Sequence, residues 1–323
     1  MNAKLPLNFI VSFCKEMVPQ NGEDSYCHSF CDTAGIIGVF DGCGGAGARK
    51  HAFYSDKTEA YMASRLCAGV FYDRFRECYP APLPPDQFVS ERLVPSITEC
   101  LREFQPPKEE GAFEVRGSMV RTLPTTAAAA LIQSVDGGLQ LISPIWAGDS
   151  RVYVLDHQGL AQLTVDDTSV PDPMENLYND GILRNVLCSD RPVKLHCRSV
   201  RMDHPFLAIA ATDGCFGYFS TPMEFEGVIL GTLVASESLD QWEKAMADAI
   251  GAVAGDDHTM CIAGYGYKDF QQLKASLLQR FKGMEERYLA PLQQIPLENR
   301  EARMELWKQY RMDYFRYIKD GLS

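Results

Sequence analysis

The chain has 323 residues, 46% hydrophobic and 23% charged, a composition that excludes a disordered, collagenous or low-complexity protein. Its 31 basic and 43 acidic residues give a net charge of −12, which disfavours nucleic-acid binding and favours cations. No apolar run reaches the roughly 18 residues of a membrane span, Met1–Phe13 lacks the features of a signal peptide, and eleven scattered cysteines favour a reduced, cytoplasmic protein.

Helix and strand patterns alternate along residues 1–267, which we expect to form one domain. Apolar runs predict the strands Ile36–Phe40, Thr126–Gln133, Leu139–Trp146, Arg151–Leu155, Leu160–Thr164, Phe206–Thr212 and Thr259–Gly264. Helical spacing predicts the helices Thr58–Phe75, with Thr58 as the N-cap, Asp86–Phe104 and Ser238–Val253. Residues 147–150 read as a hairpin turn, and residues 169–190 as a loop or small subdomain.

The composition changes after Tyr267. Residues 268–323 contain no strand pattern and predict an extension of two or three helices, interrupted near Pro291 and Pro296. Four aromatic residues of this extension recur at three- and four-residue steps: Trp307, Tyr310, Tyr314 and Tyr317. We interpret this aromatic stripe as packing against the main domain, and the alternative is a docking face for a partner.

Acidic residues recur where predicted strands end, usually beside a glycine. They are Asp41, Asp149, Asp213 and Asp256, with Glu23 and Asp24 in the loop before the first strand. Strands that end at a common edge would cluster these carboxylates, which repel each other and are costly to bury. Divalent cations remove that cost, and oxygen-only ligands suit Mg²⁺ or Mn²⁺ rather than Zn²⁺. Two such ions would create a hydroxide nucleophile and clamp a phosphoryl group.

Two other motifs indicate different chemistry. Residues 42–47 match the G-x-G-x-x-G of dinucleotide-binding loops, but Asp41 directly before them would repel a pyrophosphate. Cys27, His28 and Cys31 resemble half of a zinc site, although no second pair follows at the required spacing. Neither interpretation is favoured over the clustered carboxylates.

Taken in order, seven segments resemble the motifs of the metal-dependent Ser/Thr protein phosphatases of type 2C, the PPM family, in its bacterial form. They are Asn21 with Glu23-Asp24, 39–45 (VFDGCGG), 124–127 (PTTA), 147–152 (AGDSRV), 163–166 (LTVD), 211–214 (ATDG) and 256–259 (DDHT). The match covers residues 8–266. It implies an α+β fold, a four-layer α-β-β-α sandwich of two antiparallel sheets flanked by helices, to which the C-terminal helices are added.

The resemblance also implies an activity: hydrolysis of phosphoserine and phosphothreonine in a phosphoprotein, with two Mn²⁺ or Mg²⁺ ions and a weaker third. A cognate Ser/Thr kinase system would be the implied partner. The implied metal ligands are Glu23, Asp41, the carbonyl of Gly42, Asp213 and Asp256, with Asp149 at the third ion. Asp24 would orient a water on the metal, and Thr126 would support the site.

The sequence departs from the family pattern at two points. The phosphate-binding arginine expected before the Glu-Asp pair is missing from residues 17–22, and four residues are candidates to replace it: Lys15, Gln20, Arg49 and Arg121. Cys43 stands where the family has a histidine proposed as general acid, and a neutral thiol is a poorer proton donor near neutral pH.

These departures leave three functions open. We expect an active but slow phosphatase, because every acidic ligand position is filled. The first alternative is a weak or inactive pseudophosphatase that serves as a binding module, and the second is a phosphatase for non-protein phosphoesters. Residues 169–190 lie where the family has a variable flap beside the active site, which would influence the choice of substrate.

Overall fold

The computed structural model describes residues 5–78, 83–106, 121–170, 172–179 and 181–318. Its strands are β1 (Leu7–Lys15), β2 (Ser25–Cys31), β3 (Ala34–Phe40), β4 (Lys50–His51), β5 (Lys57–Thr58), β6 (Ala127–Ser134), β7 (Gln140–Ala147), β8 (Arg151–Asp156), β9 (Gly159–Gln162), β10 (His196–Cys197), β11 (Val200–Met202), β12 (Phe206–Ala211) and β13 (His258–Tyr265). Its α-helices are α1 (Glu59–Cys78), α2 (Pro85–Gln87), α3 (Val94–Glu103), α4 (Pro173–Asn179), α5 (Pro222–Ala235), α6 (Leu239–Gly251), α7 (Phe270–Met284), α8 (Ala290–Gln293) and α9 (Arg300–Tyr314).

Two antiparallel sheets form the centre of the fold. One has the strand order β1-β13-β12-β8-β9, and the other has the order β10-β7-β6-β3-β2, with β11 also paired to β7. Helices α5, α6, α7 and α9 cover the first sheet, and α1 and α3 cover the second. The predicted α+β class and four-layer sandwich are therefore confirmed.

Three apolar layers hold the sandwich together, and the period-two alternation of the strands supplies them. In β12, Ile209 faces the helices of the first sheet, whereas Ala208 and Ala210 face the other sheet. In β6, Ala128 packs between the sheets and Ala129 packs against the helices of the second sheet. Because both faces of these strands are buried, they read in the sequence as continuous apolar runs.

The strands and helices predicted from the sequence are present, with their ends shifted by a few residues. Thr58 caps α1, since its hydroxyl accepts the backbone N–H of Tyr61 at 3.0 Å. Strands β1 and β2 and helix α5 were not predicted. Helix α5 is apolar on most sides because it lies between the first sheet and the C-terminal helices, so it lacks an amphipathic pattern. Its N-terminal signal was the Thr221–Glu224 capping box.

The hairpin predicted at residues 147–150 is wrong. Ala147 at the end of β7 pairs with Ala127 of β6, whereas Arg151 at the start of β8 pairs with Ala211 of β12. The two flanking strands thus belong to different sheets, and the turn crosses between them. Gly148 permits this crossover, because its φ is 97° and a Cβ there would lie 2.7 Å from Thr126 Cγ2.

The C-terminal extension is mainly helical over the described residues, as predicted, but Pro291 does not interrupt it. The π-helical segment Glu285–Leu289 joins α7 to α8, and the N–H of Ala290 donates to the carbonyl of Glu285, five residues back. This wider turn accommodates the proline that follows. The same arrangement precedes Pro95, where the π-helical segment Phe88–Leu93 joins α2 to α3. The second predicted interruption, near Pro296, is present in the turn before α9.

The aromatic stripe packs into the core, as the favoured interpretation predicted. Trp307, Tyr310 and Tyr314 of α9 are at most 1% exposed and share a core with Tyr153 of β8. The indole N–H of Trp307 also donates to the carboxylate of Asp172 at 3.1 Å. These three side chains therefore do not form a surface for a partner. The domain boundary at residue 267 stays a prediction, as does a partner contact through the outer faces of the C-terminal helices.

A buried ion pair fastens the extension to the first sheet. Arg280 of α7 donates from Nε and Nη2 to the carboxylate of Glu226 in α5, at 2.7 and 2.9 Å. The hydroxyl of Tyr310 in α9 donates to the same carboxylate at 2.5 Å. The guanidinium also lies against the β8–β9 turn, where a Cβ on Gly159 would meet Arg280 Cζ at 2.2 Å. One arginine thus joins three helices and a turn.

All eleven cysteines are free thiols in this structure. Within the described ranges, no helix combines the length and the apolar character that crossing a bilayer would require.

Candidate metal centre

Strand register brings the acidic residues to one edge of the sandwich. Ala211, the last residue of β12, pairs with Arg151 at the start of β8 and with Met260 near the start of β13. In the other sheet, Phe40 at the end of β3 pairs with Ser25 at the start of β2. Six predicted site residues lie within two residues of these strand ends: Glu23, Asp24, Asp41, Asp149, Asp213 and Asp256.

Asp41 and Asp213 lie at the centre of this carboxylate cluster, close enough for each to change the pKa of the other. Burial raises the pKa of Asp41 well above its usual range, and the negative charges of Asp213 and Asp24 raise it further. Burial also raises the pKa of Asp213, with a further contribution from Asp256. The two carboxylates therefore face mainly groups of their own sign.

Asp149 and Asp24 flank this pair. Burial and then the charge of Asp213 raise the pKa of Asp149 to about 8. Burial raises the pKa of Asp24 to about 8, although hydrogen bonds from two threonines lower it. One of these is the hydroxyl of Thr212, which donates to the carboxylate of Asp24 at 2.9 Å. Asp24 is thus held in a fixed orientation at the inner side of the cluster.

A loop held by Asp257 positions Glu23. The carboxylate of Asp257 accepts the backbone N–H groups of Met17 at 2.7 Å and of Glu23 at 2.6 Å. The hydroxyl of Thr58 donates to the carboxylate of Glu23, and a Cβ on Gly44 would lie 2.1 Å from Glu23 Oε2. Asp257 was not among the predicted site residues, and its only sequence signal was its place beside Asp256.

The backbone at Asp41 is held by the segment before β6. The hydroxyl of Thr125 and the N–H of Thr126 each donate to the carbonyl of Asp41 at 2.8 Å. The hydroxyl of Thr126 also lies 2.7 Å from that of Ser150, next to Asp149. Gly42 has no room for a side chain, since a Cβ would lie 2.5 Å from the carbonyl oxygen of Ala60. Thr126 therefore links the loops that carry Asp41 and Asp149.

The donor set of this cluster fits divalent cations. Its donors are carboxylate and carbonyl oxygens, which Mg²⁺ and Mn²⁺ prefer. The positive charge of Arg151 lowers the pKa of Asp149 and of Asp213. That guanidinium is already held by Asp166, with Nη2 2.6 Å from Oδ2. The positive charge beside the central carboxylates is thus already paired, and bound cations would offset the repulsion among them.

The candidates for the missing phosphate-binding side chain lie in different places. Lys15, Gln20 and Arg49 are exposed, whereas Arg121 is half-buried and lines a small pocket beside the cluster. Cys43 lies in the loop after β3, with its Sγ 4.0 Å from the carbonyl oxygen of Asp41. Burial, and then the charge of Asp41, raises the pKa of this thiol well above its usual range, so it stays neutral.

Arg65 of α1 is a cation near Glu23 that the sequence did not indicate. Its Nη2 donates to the carbonyl of Gly22 at 3.0 Å, and its guanidinium lies 3.4 Å from the centroid of the Tyr61 ring. Its charge lowers the pKa of Glu23, against the larger effect of burial. No sequence signal marked it, because only the fold brings α1 to the loop before β2.

A separate set of metal-type donors lies at the opposite end of β8. Asp156, His157 and His204 each offer one donor atom, and these atoms lie within 4.8 Å of one another. Asp156 already accepts from Arg316 at 3.0 Å and lies 3.0 Å from a ring nitrogen of His204. This set is therefore distinct from the carboxylate cluster and helps to hold the C-terminal residues.

No protein-family model matches the sequence, and no curated protein matches it. Solved structures do match the fold. A bacterial serine phosphatase aligns over 79% of this chain and 96% of its own length, with a TM-score of 0.57 and 19% identity. The serine/threonine phosphatase Stp1 from Staphylococcus aureus aligns over 82% of this chain and 97% of its own, with a TM-score of 0.54 and 18% identity.

A third structure carries metal ions. It is the catalytic domain of the serine/threonine protein phosphatase PstP in complex with two manganese ions, which aligns over 81% of this chain and 99% of its own, with a TM-score of 0.52 and 17% identity. At this level of identity the comparisons establish the fold. The chain therefore has the α-β-β-α fold of the bacterial type 2C serine/threonine phosphatases, as its motifs predicted.

Proposed function

We propose that this protein is a metal-dependent phosphoserine/phosphothreonine phosphatase that hydrolyses phosphomonoesters at a binuclear Mn²⁺ or Mg²⁺ centre. The observation that carries the proposal is the carboxylate cluster, in which Asp41 and Asp213 lie together at the edge where both sheets end. The fold supports it, because the similar structures are phosphatases and one of them holds two manganese ions. The substrate we propose is a phosphoprotein, acted on by a cognate Ser/Thr kinase.

The residues of the cluster have separate roles in this proposal. Asp41 would bridge the two ions, with Glu23 and the carbonyl of Gly42 on one of them and Asp213 and Asp256 on the other. When bound, the ions supply a hydroxide nucleophile at neutral pH and stabilise the charge that develops on the phosphoryl group. A weaker third ion would be held at Asp149.

The surrounding residues would orient these ligands. Asp24 accepts from Thr212 and is placed to fix the direction of a water at the centre. Asp257 holds the backbone of Glu23 in place, and Thr126 holds that of Asp41. These contacts fix the ligands before any substrate arrives, which lowers the cost of organising the site.

The direct test is hydrolysis of p-nitrophenyl phosphate by the purified protein in EDTA, Mg²⁺ or Mn²⁺. We expect activity with Mn²⁺ or Mg²⁺ and none with EDTA, because in this proposal the bound cations activate the attacking water. Metal binding is measured in parallel by calorimetry. A folded protein that binds the ions yet hydrolyses neither this ester nor phosphopeptides would contradict the proposal and favour the pseudophosphatase.

A second prediction concerns the general acid. Cys43→His is expected to raise kcat at least about tenfold, since general acid catalysis contributes about 10²–10⁴-fold. The carboxylates beside residue 43 would hold the imidazole protonated, ready to donate to the leaving group. Steady-state kinetics across pH 5–9 measure the effect, and Cys43→Ser is the control that removes the thiol without adding an acid. An unchanged or lower rate in Cys43→His would show that proton donation at this position does not limit the reaction.

A further inference from the structure

A basic pocket lies beside the carboxylate cluster. Four cationic side chains line it: Arg121, Arg184, Arg191 and Lys194. This positive lining contrasts with the net charge of −12 of the whole chain. Its volume of about 180 Å³ equals that of a few water molecules at ~30 Å³ each. One phosphate or carboxylate group fits such a space together with some of its water.

Three cations of the basic pocket are available to a ligand. Arg184, Arg191 and Lys194 are exposed, and within the described ranges no carboxylate forms an ion pair with any of these three. Two acidic residues that contact the segments lining the pocket have other partners. Asp190 accepts the N–H of Thr122 at 3.0 Å, and Asp167 binds Asn185 and His196.

Backbone hydrogen bonds attach this pocket to the loops of the carboxylate cluster. Leu187, in the segment between Arg184 and Arg191, exchanges two hydrogen bonds of 2.9 Å with Thr125. The hydroxyl of Thr125 in turn donates to the carbonyl of Asp41. On the other side, the N–H of Arg121 donates at 3.3 Å to the carbonyl of Ala46, in the loop after Asp41. The pocket and the cluster are therefore neighbours on the same edge of the sandwich.

This placement suits a substrate with two negative groups. An extended peptide advances about 3.3–3.6 Å per residue, so one short peptide can present a phosphoryl group to the cluster and another anion to the pocket. Arginine binds carboxylate and phosphate oxygens in a planar fork, which favours these groups over neutral ones. The pocket would also offset the repulsion between an acidic peptide and a protein of charge −12.

We propose that the basic pocket binds a second anionic group of the substrate, an acidic side chain or a second phosphate within a few residues of the phosphorylated serine or threonine. The inference rests on the proposed phosphatase function and adds a substrate class to it: acidic or multiply phosphorylated peptides. Arg184 and Lys194 provide the charge that selects such peptides, because both are exposed and line the pocket from the same segment.

The test compares three phosphoserine peptides that differ only in the flanking positions, which carry glutamine, glutamate or a non-hydrolysable phosphonate. For the full chain with Mn²⁺, we expect kcat/KM to be about tenfold higher for either acidic peptide than for the glutamine peptide, and the difference to shrink in 0.5 M salt. The double variant Arg184→Gln/Lys194→Gln is expected to abolish that ratio. The matched control, Lys244→Gln/Lys282→Gln, removes the same charge from exposed positions on α6 and α7. It should retain the higher kcat/KM for the acidic peptides.

The outcomes separate this inference from the proposed function. The pocket's role would be overturned if the unmodified chain had equal kcat/KM for the three peptides. It would also be overturned if the control variant lost the preference for acidic peptides as fully as the pocket variant does. A preference for the phosphonate peptide alone would assign the pocket to a second phosphate rather than to an acidic side chain. If the chain hydrolyses none of these peptides, the proposed function fails. Peptide binding, measured by fluorescence anisotropy, then tests whether the pocket binds anionic groups. Tighter binding of the acidic peptides that disappears in Arg184→Gln/Lys194→Gln would support the proposed role of the pocket. Equal binding of the three peptides would refute that role.

Discussion

Asp41→Asn is expected to lower metal-dependent phosphatase activity by at least about 10³-fold. Asparagine keeps the shape of the side chain but removes the charge that would bridge two cations, and each tenfold loss corresponds to about 1.4 kcal/mol of transition-state stabilisation. Calorimetry should show weaker binding of Mn²⁺ as well. Asp213→Asn is expected to act in the same way, because Asp213 is the other central carboxylate of the cluster.

The fold should survive this change. Without cations, Asp41 is surrounded by carboxylates of its own sign, so a neutral side chain there relieves repulsion, and the metal-free variant should melt no lower than the unmodified chain. Asp136→Asn makes the same substitution at an exposed position near the start of the β6–β7 connection and should leave activity unchanged. Substantial Mn²⁺-dependent activity in Asp41→Asn would exclude a bridging role for Asp41.

Arg280→Met is expected to lower the free energy of unfolding by about 3–5 kcal/mol, because it leaves the carboxylate of Glu226 buried without its cation. Domains of this kind are commonly stable by only about 5–15 kcal/mol, so the loss would be a large fraction of the total. Urea denaturation followed by circular dichroism measures it through the midpoint and slope of the transition. Arg287→Met, at an exposed position on the same helical segment, should change the stability by no more than about 0.5 kcal/mol.

A double variant separates the ion pair from general packing. Glu226→Gln/Arg280→Met removes both charges but keeps an oxygen acceptor for the hydroxyl of Tyr310, which donates to Glu226. We expect it to recover most of the lost stability, since the cost of breaking a buried pair lies mainly in the charge left behind. If the double variant is as unstable as Arg280→Met, the loss of stability comes instead from the cavity left beneath the β8–β9 turn.

The fold was predictable where one physical rule decided the local structure. Strands β3, β6 and β12 are buried on both faces, so their apolar runs marked them directly. Strand β2 carries half-buried polar residues at an edge of its sheet, and its sequence lacks that signal. The turn at 147–150 was misread because a short turn between two strands ordinarily pairs them, and only the tertiary register shows that the flanking strands lie in different sheets.

The candidate site followed from the sequence for a similar reason. The acidic residues sit at strand ends, and antiparallel register gathers those ends at one edge, so a list of strand ends predicts the cluster. Arg65, Asp257 and the basic pocket did not follow. Arg65 lies in the middle of a helix, and the pocket depends on how residues 183–194 pack beside Thr125. Neither arrangement leaves a periodic or spacing signal in the chain.

The pairing of β1 with β13 has a consequence for synthesis. Lys15 lies opposite His258, and the N–H of Glu23 is held by Asp257, 234 residues further along the chain. A ribosome adds roughly 5–20 residues per second, so the N-terminal strand waits more than about ten seconds for its partner to emerge. The first sheet gains its outer strand, and Glu23 its final position, only when nearly the whole fold has been translated. In a nascent chain, Glu23 therefore joins the other carboxylates only after the last strand has emerged.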